Sequence, residues 1–192
     1  MRLVELVLFL SFLGAGESTA QHRRGRHGLW WSIGLGYGAW HFSADSAARR
    51  TGSDGIGVLS IAAGMAVSRR TTLGLEVEGG SIGRTGASAS GVSLLVAYYP
   101  WPRRGAFVRG GLGSSSYRES SGAQSQAYSG TGFGYLAGVG WDLPVSKRVS
   151  LTPMLGYRAG TPGSVGLGVP GLELATGFHK RAIILSLGLT VP

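Results

Sequence analysis

Apolar residues recur at every second position through eight short runs of this chain. The last run is the clearest. Ile183, Leu185, Leu187, Leu189 and Val191 fall on one side, and Ala182, Ile184, Ser186, Gly188 and Thr190 on the other. Side chains of a β-strand alternate faces with a period of two, so each run reads as a strand with one greasy face. The pattern predicts strands over Leu29–Trp40, Ile56–Val67, Thr72–Ser81, Ser90–Tyr99, Ala106–Tyr117, Ser129–Leu143, Val149–Arg158 and Ala182–Val191. Pro153 falls inside the seventh and has no N–H to give a ladder, so it needs a bulge or a weakly bonded site.

The connections alternate in length. Ser68–Thr71, Pro100–Gly105 and Pro144–Arg148 read as tight turns. His41–Asp54, Gly83–Ala89, Arg118–Tyr128 and Ala159–Lys180 read as loops. Short turns at one end and longer loops at the other are the asymmetry of outer-membrane barrels. The apolar sets are long on nearly every strand, whereas the opposite positions are mostly Gly, Ser, Thr and Ala. A soluble sandwich or ligand-binding barrel would turn its greasy face inward; this distribution suits lipid outside and small or polar residues inside. The expected fold is all-β: an eight-stranded antiparallel up-and-down transmembrane β-barrel. Two sets of outward rings, Trp31, Tyr98 and Trp141 near the turns and Tyr37, Tyr135 and Tyr157 nearer the loops, are expected to form aromatic belts at the two membrane interfaces.

Composition sharpens this picture. The 35 glycines interleave with Val, Leu, Ile, Trp and Tyr at strand spacing, which argues for packed strands over disorder. The absence of Cys removes disulfides, thiolate metal sites and a lipid-bearing cysteine. Arg2, the apolar stretch Leu6–Leu13 and the small residues Ser18-Thr19-Ala20 read as a cleaved signal peptide over residues 1–20. A basic periplasmic tail, 21–28, would follow, with the barrel over 29–192. Cleavage would raise the net charge from +9 to +10, since Arg2, Glu5 and Glu17 leave. For an exported chain this balance suits anionic lipid, lipopolysaccharide phosphate or peptidoglycan, and no nucleic acid.

The run from Gly134 through Trp141-Asp142-Leu143-Pro144 to Tyr157-Arg158 resembles the sixth-to-seventh hairpin of small eight-stranded outer-membrane proteins of the OmpA/OmpX-like type. Trp31-Ser-Ile-Gly-Leu-Gly-Tyr37-Gly38 resembles their first strand. The resemblance covers nearly the whole mature chain and is architectural. It implies a monomer of the bacterial outer membrane with a structural, membrane-integrity or adhesion role. Many such proteins end in an aromatic residue, whereas this chain ends Leu189-Thr190-Val191-Pro192.

Candidate chemistry is sparse. Glu76, Glu78, Arg109 and Arg158 take inward positions. Charges in so narrow a lumen are expected to pair, with Glu76 and Arg109 in one network that plugs it and leaves no large pore. Arg69-Arg70, Arg103-Arg104 and Lys147-Arg148 mark the turns, as head-group contacts or as a peptidoglycan-binding set. Arg49, Arg50, Arg84 and Arg118 are expected in outer loops, as lipopolysaccharide contacts. His41, Ser43 and Asp45 raise the alternative of a lipid A-modifying enzyme, a deacylase or acyltransferase. The favoured reading is non-catalytic, with no catalytic residues, metal or cofactor.

Overall fold

The computed structural model describes residues 28–43, 52–83, 87–121, 126–146, 148–166 and 173–191. The expected signal peptide and most of the basic tail lie outside the described residues. Among the described residues nine strands form: β1 (Gly28–Ser43), β2 (Gly52–Ala66), β3 (Thr71–Ile82), β4 (Ala87–Tyr98), β5 (Ala106–Ser121), β6 (Gln126–Trp141), β7 (Leu143–Pro144), β8 (Ser150–Gly166) and β9 (Glu173–Val191). Each long strand pairs antiparallel with its sequence neighbour, and β1–β9 and β6–β8 pairings close the sheet. The two-residue β7 continues β6 along β8, so the barrel has eight staves. Between them, pairing skips from Gly140↔Met154 to Leu143↔Leu151, and Pro153 sits in that interruption. Its other edge stays in register with Leu187, so the missing N–H falls where the ladder is already open.

The register fixes the barrel's shape. From Glu76, the pairs run through Ser93, Gly113 and Gly134 to Gly160 on β8. In the other direction they run through Ala62, Ser32 and Thr190 to Ser150. The two paths meet ten residues apart on β8, which is the stagger of the closed sheet. Eight staves at about 4.8 Å spacing and about 3.3 Å per residue then require a tilt of about 40° and a backbone radius of about 8 Å. Such a lumen is filled by side chains.

Burial follows the predicted alternation. Leu29, Trp31, Ile33, Leu35 and Tyr37 are exposed on β1, and the outward sets of the other long strands behave likewise except on β8, where Leu155 is exposed but Leu151 and Tyr157 are half-buried. On β1 the girdle from Leu29 to Ala39 climbs about 25 Å along the axis, the height of an apolar membrane band.

The strands outrun their expected lengths at the loop end. β1 and β2 take in His41–Ser43 and Gly52–Gly55; β5 and β6 take in Arg118–Ser121 and Gln126–Tyr128; β8 and β9 take in Ala159–Gly166 and Glu173–Arg181. These segments were expected to be loop because they lack a greasy face. Ladder hydrogen bonds to neighbours that are themselves extended supply the missing stabilisation. The opposite end is tight. The Ser68 hydroxyl accepts from the Thr71 amide at 3.0 Å, and Arg104 N donates to Trp101 O at 2.9 Å. Gly105 has φ +73°, a left-handed conformation that a side chain would strain, and its carbonyl accepts from the Asp142 amide.

Candidate functional site

The lumen is layered. Nearest the turns, the buried carboxylate of Asp142 accepts from Tyr99 Oη at 3.1 Å and from Thr152 Oγ1 at 2.7 Å; Thr152 in turn lies 3.0 Å from Thr190 Oγ1. These groups come from three separate staves and the residue following β4, so the cluster ties the turn end together. Phe107 packs against Tyr99 beside it, at a ring separation of 5.2 Å.

Glu76 holds the middle. It is 2% exposed and accepts from two guanidinium groups: Arg109 Nη1 on Oε2 at 2.5 Å and Arg158 Nη2 on Oε1 at 2.8 Å. Arg158 also pairs with Glu78. The four inward charges singled out in the sequence are thus brought together by β3, β5 and β8. Each of these four ions has an opposite charge within hydrogen-bonding reach, which a low-dielectric lumen demands.

Toward the loops the lumen turns apolar. Trp40, Ile56, Val58, Ile82, Ala87, Tyr117, Ala182 and Ile184 form one buried cluster. Trp40 and Tyr117 stack at 6.4 Å, and the Lys180 ammonium lies 5.4 Å from the Trp40 ring centre while donating to the Ser116 carbonyl at 3.1 Å. Lys180 was expected in a loop and was missed as a lumen residue; its inward register on β9, beside Ala182 and Ile184, is the signal that places it. Cavities of about 60 Å³ on the turn side and about 30 Å³ on the loop side flank the ion cluster. Each has space for a few waters, far below the volume of a small-molecule pocket.

The outer surface carries the opposite chemistry. Of the six rings assigned to belts, Trp31, Tyr98 and Trp141 are exposed near the turn end, Tyr37 and Tyr135 are exposed nearer the loops, and Tyr157 is half-buried beside Tyr135 at 6.3 Å. Trp101, in a tight turn, and Phe133, on β6, are further exposed rings. Arg69, Arg70, Arg103, Arg104 and Arg148 are exposed at the turns; Lys147 lies outside the described residues. At the loop end, Arg118 stands exposed on β5, a strand and not the expected loop. Arg49, Arg50 and Arg84 lie outside the described residues. His41 and Ser43 share the outward face of β1, opposite Arg181 and His179 of β9, while Asp45 lies outside the described residues. Arg181 and His179 were also missed, since that stretch reads as loop by composition.

Among the described residues the lumen holds both charge signs, whereas the outer wall carries no carboxylate. Of the carboxylates whose side chains are described, Glu76, Glu78 and Asp142 lie within the lumen, and Asp54, exposed at its mouth, takes the register position opposite Trp40. Among the described residues, the outward polar side chains of the wall are basic or carry hydroxyls.

No protein-family model and no curated protein matches the chain. Solved structures match in shape. Neisserial surface protein A (NspA) gives a TM-score of 0.56 at 18% identity, over 85% of this chain and 98% of that one. Ail, the attachment invasion locus protein of Yersinia pestis, in complex with the heparin analogue sucrose octasulfate, gives 0.51 at 12% identity, over 85% and 99%. The outer membrane protein AlkL, solved in DMPC lipid bilayers, gives 0.53 at 14% identity, over 92% and 95%. At these identities the likeness is one of fold, and the architecture is that of a small eight-stranded outer-membrane β-barrel.

Proposed function

We propose that this chain is a plugged barrel of the bacterial outer membrane with a non-catalytic role, stabilising the membrane and meeting anionic glycolipid, or an external ligand, at its loop end. The one-sided charge of the outer wall carries this reading. Carboxylates lie in the lumen, where Arg109 and Arg158 neutralise Glu76 and Glu78. Outward cations stand at both ends of the apolar girdle, Arg69, Arg70, Arg103 and Arg104 at the turns and Arg118 and Arg181 at the loops. A wall with this distribution is attracted to lipid phosphates on both sides of a membrane, with each basic side chain near the surface contributing about 1 kcal/mol. The turn end then faces the periplasm and the loop end the exterior. In Ail, a barrel of the same fold, the crystallised partner is a sulfated sugar analogue, which fits a loop end suited to polyanionic saccharide.

The test is membrane fractionation of the expressed protein, gel migration with and without boiling, and a planar-bilayer recording. Outer-membrane recovery, a heat-dependent mobility shift and no large conductance are expected. A soluble periplasmic product, or a stable open channel, would overturn the reading.

A further inference from the structure

We infer that the outward face of β4, β5 and β6 above the apolar girdle is a saccharide-binding surface for the sugar portion of the outer-leaflet glycolipid. This rests on the proposed outer-membrane role and adds which part of the lipid is recognised, and where.

The girdle ends on these strands at Val92, Leu112 and Phe133. Beyond it the outward positions fall into two cross-strand rows. Ser90 pairs with Ser116, and Ser116 with Thr131; one step further out, Ser88 pairs with Arg118, and Arg118 with Ser129. Five hydroxyls and one guanidinium thus form a lattice with about 4.8 Å between strands and about 7 Å along them. The Ser116 and Thr131 hydroxyls lie 3.1 Å apart, in hydrogen-bonding reach across the sheet. Small side chains leave a shallow groove here of about 380 Å³, many times larger than either lumen cavity.

Three features select the occupant. The lattice continues the lipid-facing wall upward, so what lies against it is what lies above the acyl chains. Its hydroxyls both donate and accept, as sugar hydroxyls do, and the ring that borders the groove, Tyr117, is buried against Trp40 in the lumen and offers no apolar face to hold a tail. Arg118 at its centre suits the phosphate or carboxylate groups of an acidic sugar, with no outward carboxylate in the lattice to repel them. The opposite flank differs: β1 and β9 present His41, His179 and Arg181, a set for phosphate and not for a sugar face.

The experiment uses the full barrel reconstituted in phosphatidylcholine vesicles and titrated with two probes: core oligosaccharide freed of lipid A, and bis-phosphorylated lipid A. The lattice variant is Ser88→Ala, Ser90→Ala, Ser116→Ala and Thr131→Ala together; the opposite flank is tested by His41→Gln with Arg181→Gln. Both are exterior changes, and heat-dependent gel mobility verifies folding. The wild type is expected to bind both probes. The lattice variant should lose oligosaccharide affinity by about tenfold or more, a modest loss for several hydrogen bonds removed together, while keeping lipid A. The flank variant should do the reverse. Equal oligosaccharide affinity in wild type and lattice variant, or lipid A binding without oligosaccharide binding, would overturn the saccharide surface and leave the membrane role standing. Binding of neither probe would remove the glycolipid part of the proposed function as well.

Discussion

Leu75 and Glu76 are neighbours on β3 that face opposite media. Leu75 is 57% exposed on the outer wall, and Glu76 is 2% exposed beneath two guanidinium groups. In a water-soluble protein that pairing would be inverted. The contrast teaches that exposure and polarity are uncoupled in this wall. The outward residue is kept apolar by what surrounds the barrel, whereas the inward one is kept charged by what crosses the lumen. If the two faces answer to different physics, substitutions one residue apart should fail by different routes.

The largest effect is expected inside. Glu76→Gln removes the charge with little change of shape, leaving Arg109 without its carboxylate partner and Arg158 with Glu78 alone. Breaking a buried pair in this way costs about 3–5 kcal/mol. Urea unfolding in detergent micelles should register a loss of that order. A loss below about 1 kcal/mol would mean that water entering the lumen already solvates these ions, and the two faces would be less distinct than their burial implies.

Outside, Leu75→Arg places a cation near mid-girdle, at a cost of about 2–4 kcal/mol in lipid. This loss should appear in vesicles and shrink in short-chain detergent, a solvent dependence that Glu76→Gln should not share. Comparable losses in both media would break the assignment of the Leu75 face to lipid.

A smaller effect tests how closely the inner face is packed. Gly74 lies inward on β3, and a methyl group there would sit 2.7 Å from Cζ2 of Trp30. Gly74→Ala forces the indole aside and should cost about 1–3 kcal/mol, as overpacking does. A parallel Trp30→Phe change should reduce that cost. If it does not, the strand backbone at Ala63 O, 2.6 Å from the same point, and not the ring, sets the limit.

The girdle and the inner charges were legible in the sequence for one reason: both are properties of a single strand read with period two. Glu76 and Arg109 could be paired on paper because they take inward positions on strands close in sequence. The outermost part of β5 and the start of β6 were hidden, because Arg118–Ser121 has no greasy face and resembles a linker until its partners are known. Vertical order was hidden too. Asp142 meets Tyr99 and Thr152, and Thr152 meets Thr190, only after the barrel closes with its ten-residue stagger, and the same closure sets Lys180 above the ion cluster. A strand pattern gives the face of each residue, but height belongs to the closed sheet. For the same reason Arg181 and His179 read as loop residues, although β1 holds them in register with His41 and Ser43.

The smallest effect gives the comparison its scale. Leu29 faces outward like Leu75 but stands at the turn-end edge of the girdle, 77% exposed. An arginine there can extend its guanidinium to the head-group layer while its methylene stem stays against the wall. Leu29→Arg should therefore cost no more than about 1 kcal/mol, against about 2–4 for the same change at Leu75. The difference between the two, measured in one vesicle system, reports depth in the bilayer and is independent of the chemistry of the substitution. Equal costs at both sites would mean that the wall has no membrane gradient across it, because lateral burial against another protein would penalise both positions alike. A gradient would fix Leu75 near the bilayer centre and place the Glu76 cluster at about the same depth, where no external water can compensate for a lost partner.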